Sequence, residues 1–163
     1  MSSTAATSST ILCTIFIFLA IFSNSNDALT AYQVLEEYDL PVGLLPKGVT
    51  SYELDSSTGE FTVYLNETCT FTIEGYKLKY KTQITGVISK DALKDLSGVQ
   101  VKILFFWLNL QEVTRDGDEL IFSVGIASAD FPLSNFAQSP QCGCGFDCAV
   151  NLIETVTSFN SFN

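Results

Sequence analysis

With no histidine anywhere in its 163 residues, this chain leaves chemistry to five cysteines, one Asn-Glu-Thr triplet and a scatter of carboxylates. Three of the cysteines crowd into Gln-Cys-Gly-Cys-Gly-Phe-Asp-Cys, Gln141 to Cys148. Such a cluster could clamp a metal, cycle as a redox pair or staple the chain. Zinc sites take Cys or His pairs two to four residues apart, and the missing histidine removes most of those ligand sets. The C-x-x-C spacing of a redox dithiol is also absent. A staple is left, and it requires an oxidising compartment.

The carboxylates offer less. Glu36 and Glu37 read as the solvent side of a helix. Asp116, Asp118 and Glu119 sit in a turn, where Asp is favoured for backbone reasons. Asp91 and Asp95 form a third pair. A calcium site needs more oxygen ligands than any of these groups supplies. Without histidine there is no Ser-His-Asp or Cys-His nucleophile and no imidazole base. A pair of distant carboxylates, as in a glycosidase, is the hydrolytic chemistry that survives, and it is the weakest functional reading. No phosphate loop or dinucleotide fingerprint occurs. The expectation is a non-catalytic protein without cofactor or metal.

The compartment is read at the amino end. No charged side chain precedes Asp27, and Ile11 to Phe22 is an apolar run broken by one Thr. That run is too short to cross a bilayer as a helix and has the length of a signal-peptide core. Residues 1–25 are expected to be a signal peptide, cleaved after Ser25 or Ala28, with no transmembrane segment left afterwards. Residues 29–148 are then one domain and 149–163 a tail. Cys13 leaves with the signal, so Cys69, Cys142, Cys144 and Cys148 remain, an even number suited to two disulfides. Cys142 with Cys144 is strained. Cys69 is therefore expected to pair with Cys142 or Cys144, with a short loop closing at Cys148. Asn66, in Asn66-Glu67-Thr68, is a glycosylation acceptor. The expected destination is the extracellular space, with the endoplasmic reticulum as the alternative. The net charge of −10 excludes nucleic acid as a partner and argues against anionic membrane surfaces.

These residues must be positioned by a mostly β framework. Thr30 with Gln33 makes a capping box, and Tyr32, Leu35 and Tyr38 recur at helical spacing until Pro41. From Ser51 onward the period becomes two. A hairpin is expected around Asp55 to Gly59, with Phe61, Val63 and Leu65 on one side. Cys69, Phe71 and Ile73 alternate with Thr70, Thr72 and Glu74; Tyr76, Leu78 and Tyr80 alternate with Lys77, Lys79 and Lys81. Gly86 marks a bulge or bend. Ser89 to Gly98 reads as a helical turn or a loop. Val99 to Arg115 reads as one long strand, returned by a hairpin at Asp116-Gly117, with a further bend at Gly125. The fold class is mainly β: a short helix, then six or seven antiparallel strands in a meander that closes into a small barrel, with a sandwich as the alternative.

Three stretches, Tyr38 to Leu65, Tyr76 to Leu108 and Glu119 to Pro132, resemble the plant family called domain of unknown function 538. Leu-Pro-Val-Gly-Leu-Leu-Pro-Lys-Gly-Val (Leu40 to Val49) is the most specific piece. The resemblance implies a plant protein of one domain, with an N-terminal helix and a closed antiparallel barrel, and it supplies no catalytic residues. A similarity of the family to bactericidal/permeability-increasing, lipid-binding proteins has been proposed.

Two functions follow. The 13 Phe and 6 Tyr would suit a barrel holding a small, lipid-like apolar ligand, with Phe71, Tyr80, Phe105 and Trp107 as lining candidates. The alternative is a surface-interaction protein in cell-wall, developmental or stress responses. There the Lys77, Lys79 and Lys81 row would meet an acidic wall component such as pectin.

Overall fold

A computed structural model describes residues 29–146 and 148. The expected signal peptide, its cleavage sites and the tail beyond Cys148 lie outside these residues, apart from Ala28 to Leu29, the later junction, at their very edge.

The chain enters through α1 (Ala31–Glu37), capped reciprocally as the sequence requires: Thr30 accepts from the Gln33 N–H, and Gln33 accepts from the Thr30 N–H. Ala31, Val34 and Leu35 are its buried face. A short 3-10 turn, Val42–Leu44, follows Pro41, and Leu44 and Leu45 enter the core. Among the described residues nine strands then build one antiparallel sheet: β1 (Val49–Leu54), β2 (Glu60–Leu65), β3 (Cys69–Ile73), β4 (Tyr76–Ser89), β5 (Ala92–Ile103), β6 (Phe106–Asn109), β7 (Glu112–Asp116), β8 (Glu119–Ser123) and β9 (Ser128–Pro132). A second 3-10 turn, Leu133–Phe136, follows β9.

The long β4–β5 ribbon organises the sheet in two tiers. The first half of β4 pairs with β3 and the second half with β2. The end of β5 pairs with β6 and its start with β7. The tiers meet where the β4–β5 register slips between Tyr80 and Thr85. Gly98 sits at that slip with φ +90°, and a Cβ there would collide with the Gln83 carbonyl. A second slip, between Thr85 and Val87, falls at Gly86, where the sequence predicts a bulge or bend.

The expected barrel is not closed by hydrogen bonds. The ladder runs β1-β2-β4-β5-β7-β8-β9, and its two end strands do not pair. The sheet curls instead around one core, which α1 shares with the inner faces of β2, β3, β4, β5, β7 and β8.

Three local expectations are corrected. Ser89 to Gly98 is no helical turn or loop: the chain reverses at Lys90-Asp91 and continues as β5. Positive φ at Asp95 and Gly98 breaks the alternation that would have revealed the strand. Val99 to Arg115 is not one strand, because Leu104-Phe105 turns it back between the paired Ile103 and Phe106. Gly125 marks more than a bend: residues 124–127 reverse the chain, and the Val124 N–H donates to the Ala127 carbonyl at 3.0 Å.

Leu104 adopts φ +53°, a region that L residues other than Asn and Asp avoid. Leu104→Asn is therefore expected to stabilise the domain by about 1 kcal/mol, read as an increase in the urea midpoint at unchanged slope.

Candidate functional site

The two disulfides join Cys69 to Cys142 and Cys144 to Cys148. The first spans 73 residues and the second only 4. Cys69 opens β3 and is buried. Its partner brings the C-terminal segment across β3 and the Leu40 to Val49 loop. There the Gly143 N–H donates to Thr70 O, the Lys47 N–H to Pro140 O and the Ser139 hydroxyl to Val42 O, at 2.8, 2.8 and 3.0 Å. Phe146 then meets Phe71 and Phe136 edge-on, with ring centres 6.3 and 6.4 Å apart. The cysteine cluster thus clamps aromatic side chains that wall an internal space.

That space lies in the upper tier. It is an apolar cavity of ≈ 240 Å³. Phe71, Ile73, Leu78 and Tyr80 line it from β3 and β4, and Val101 and Ile103 from β5. Phe122, Ala129 and Phe131 from β8 and β9, with Phe136, close the far wall. Phe122 stacks on Phe136, with centres 5.2 Å apart and planes at 27°. Phe131 meets Tyr76 edge-on at 5.6 Å, so side chains span the side where strands do not pair. Tyr76, Ala127 and Ser128 line the cavity and are exposed, which places its rim at the surface. A smaller void of ≈ 50 Å³ lies in the lower tier beneath α1. Tyr80, Leu110 and Phe122 border both spaces and separate them.

Tyr80 is the polar tip of this wall. Its hydroxyl donates to the Leu44 carbonyl at 3.2 Å, and burial pushes its phenol far above the usual tyrosine range. It is a neutral, satisfied anchor between β4 and the loop, not a general base. Among the described residues no buried side-chain oxygen or nitrogen lacks a partner, and no group of Cys, Asp or Glu gathers as metal ligands. No described helix is long and apolar enough to cross a membrane.

The four lining candidates divide. Phe71 and Tyr80 line the cavity. Phe105 and Trp107 do not. Phe105 occupies the β5–β6 turn with 88% of its surface exposed. Trp107 faces outward, with the Lys79 ammonium 4.1 Å from its ring centre. A run of six apolar residues, Ile103 to Leu108, reads as a buried strand, but the turn inside it reverses which face each residue takes. Sequence reasoning missed the far wall (Phe122, Ala129, Phe131 and Phe136). The alternation of Ala129 and Phe131 with Asp130 was the available signal. Asn66 is exposed in the β2–β3 connection, at the end of β3 away from the cavity rim.

The fold and site define a class: a disulfide-clamped, curled antiparallel sheet around an apolar cavity. The family model described as "Protein of unknown function, DUF538" matches residues 31–137, and the chain belongs to that family. An uncharacterized protein of Arabidopsis thaliana is 34% identical over 98 residues, covering 58% of this chain and 55% of the relative. The chain thus spans about half the length of that curated relative.

Proposed function

We propose that this domain is a secreted, non-catalytic binding module whose cavity holds a small apolar ligand, or the apolar end of a larger lipid-like molecule. The observation that carries the reading is the cavity itself. Apolar cavities of about 150 Å³ take up benzene-sized ligands, and this one has ≈ 240 Å³. That is room for a substituted aromatic ring or a short acyl segment, with any polar head at the rim beside Ser128. In this reading the curled sheet works as a small barrel closed by side chains, Tyr76 against Phe131, instead of by a ladder. Two disulfides and an exposed Asn66 sequon support passage through the secretory pathway, where the apolar Ile11 to Phe22 run serves as a cleaved signal and Asn66 carries a glycan.

The test is a melting series with fatty acids and aromatic hydrophobes of increasing size. A ligand present at about a hundred times its Kd should raise Tm by about 8 °C. Ala129→Phe fills the cavity from β9 and is expected to weaken binding by at least about 100-fold, while the unliganded protein melts no lower than the wild type. Wild-type melting that ignores every hydrophobe would make the cavity a packing defect and end the proposal.

A further inference from the structure

We propose that the β5–β6 hairpin tip, with the lysine face beside it, docks this domain on an anionic lipid bilayer. Four large apolar side chains stand in water here: Leu104, Phe105, Phe106 and Ile126 are 81, 88, 70 and 89% exposed. The first three form the tip of the β5–β6 hairpin. Ile126 is in the β8–β9 turn. Ile103, the strand residue before the first turn, and Val124 and Ala127 from the second line the same cavity, so both turns border its rim. Folding gains nothing from this exposure. A turn of Asn and Gly would adopt the positive φ of such a hairpin without the strain that Leu104 bears.

Charge names the partner. The chain has eight Lys and Arg against eighteen Asp and Glu. Half of the basic residues, Lys77, Lys79, Lys81 and Lys102, lie exposed or half-exposed on β4 and β5. Lys77 stands directly opposite Lys102, and Lys102 opposite Trp107. Lys77 also faces Thr72, and Lys79 faces Thr70 and Gln100, all uncharged. The nearest carboxylate along the chain, Glu74 in the β3–β4 turn, accepts from the Asn135 amide at 3.0 Å. Lys90 and Lys94 are ion-paired, but none of these four lysines has an ionic partner among the described residues.

An apolar tip, a tryptophan behind it and lysines behind that follow the order of acyl chains, interface and headgroups in a membrane. A polyanionic polysaccharide would satisfy the lysines but leave Leu104, Phe105, Phe106 and Ile126 in water. The net charge of −10 repels anionic surfaces at a distance. That repulsion is screened within about 8 Å in physiological salt, and the lysine face acts at contact. Docking does not depend on the cavity being filled, though it would turn the cavity rim toward the bilayer.

Trp107 is the sole tryptophan, so it reports on docking without a label. The disulfide-bonded protein is mixed with phosphatidylcholine vesicles containing about 30 mol% phosphatidylserine. Sedimentation with the vesicles and a blue shift of Trp107 emission are expected, both absent with pure phosphatidylcholine. Leu104→Asn with Phe105→Ser should weaken sedimentation by more than about 10-fold without lowering Tm. Lys77→Gln with Lys79→Gln and Lys102→Gln should weaken it by about 100-fold and flatten its salt dependence. Failure to bind the anionic vesicles, equal binding to neutral ones, or binding indifferent to the tip variant would overturn the proposal. Capture by polygalacturonate without capture by vesicles would overturn it in favour of a polysaccharide.

Discussion

Replacing Cys69 and Cys142 together by alanine is expected to destabilise the domain by about 4 kcal/mol. The bridge closes a loop spanning 73 residues, so its loss frees a large ensemble of unfolded conformations. Native packing suffers too. Cys69 is buried at the start of β3, and its partner holds the segment whose Phe146 rests on Phe71 and Phe136. Cys144 and Cys148 are only 4 residues apart. Their removal is expected to cost at most about 2 kcal/mol. Equilibrium urea unfolding of the two double variants measures the contrast. Equal losses would mean that the long bridge does not organise the domain. The Cys69 variant should also bind hydrophobes more weakly, because the bridge anchors a segment packed against the cavity wall.

Gly43→Ala is expected to cost about 3 kcal/mol, although it adds one methyl group. Gly43 lies in the first 3-10 turn, buried against the second. A Cβ at this position would overlap the Phe136 carbonyl and lie 2.7 Å from the Gln138 carbonyl. Both obstacles are backbone, so neither can swing aside as a side chain would. Relief requires the second turn to move, and with it Phe136, which stacks on Phe122 at the cavity wall. Loss of stability and loss of hydrophobe binding should therefore appear together. Gly75→Asn is the contrast: a Cβ there meets nothing within 4 Å, and φ +81° is a conformation Asn tolerates. It should leave the urea midpoint within about 0.5 kcal/mol of wild type. A Gly43→Ala protein as stable as Gly75→Asn would refute the close approach of the two turns.

How far the sequence exposes this structure depends on whether the information is local. The Thr30/Gln33 cap, the period of two in β3 and early β4, and the hairpin after β7 are each written in a few adjacent residues, and each is present, the hairpin's turn falling at Gly117-Asp118, one residue later than Asp116-Gly117. The cysteine arithmetic led to two bridges but left Cys142 and Cys144 as alternatives for Cys69. Spacing cannot say which sulfur the folded C-terminal segment brings to β3. The turn at Leu104-Phe105 was hidden because two exposed apolar residues do the work that Gly, Asn or Asp usually does. β5 was hidden because Asp95 and Gly98 interrupt its alternation. The cavity is the least legible feature. Its aromatic residues are visible as core material. Whether they fill the space between β4–β5 and β8–β9 or leave ≈ 240 Å³ open depends on the separation of elements far apart in sequence.

The cavity's occupancy is tested most directly by native mass spectrometry of the protein purified from plant cells, beside its Ala129→Phe variant from the same source. The expected result is a small apolar mass that survives native ionisation on the wild type, vanishes under denaturing conditions and is missing from the variant. A bare wild-type chain, or an adduct carried equally by both proteins, would contradict a cavity-bound ligand.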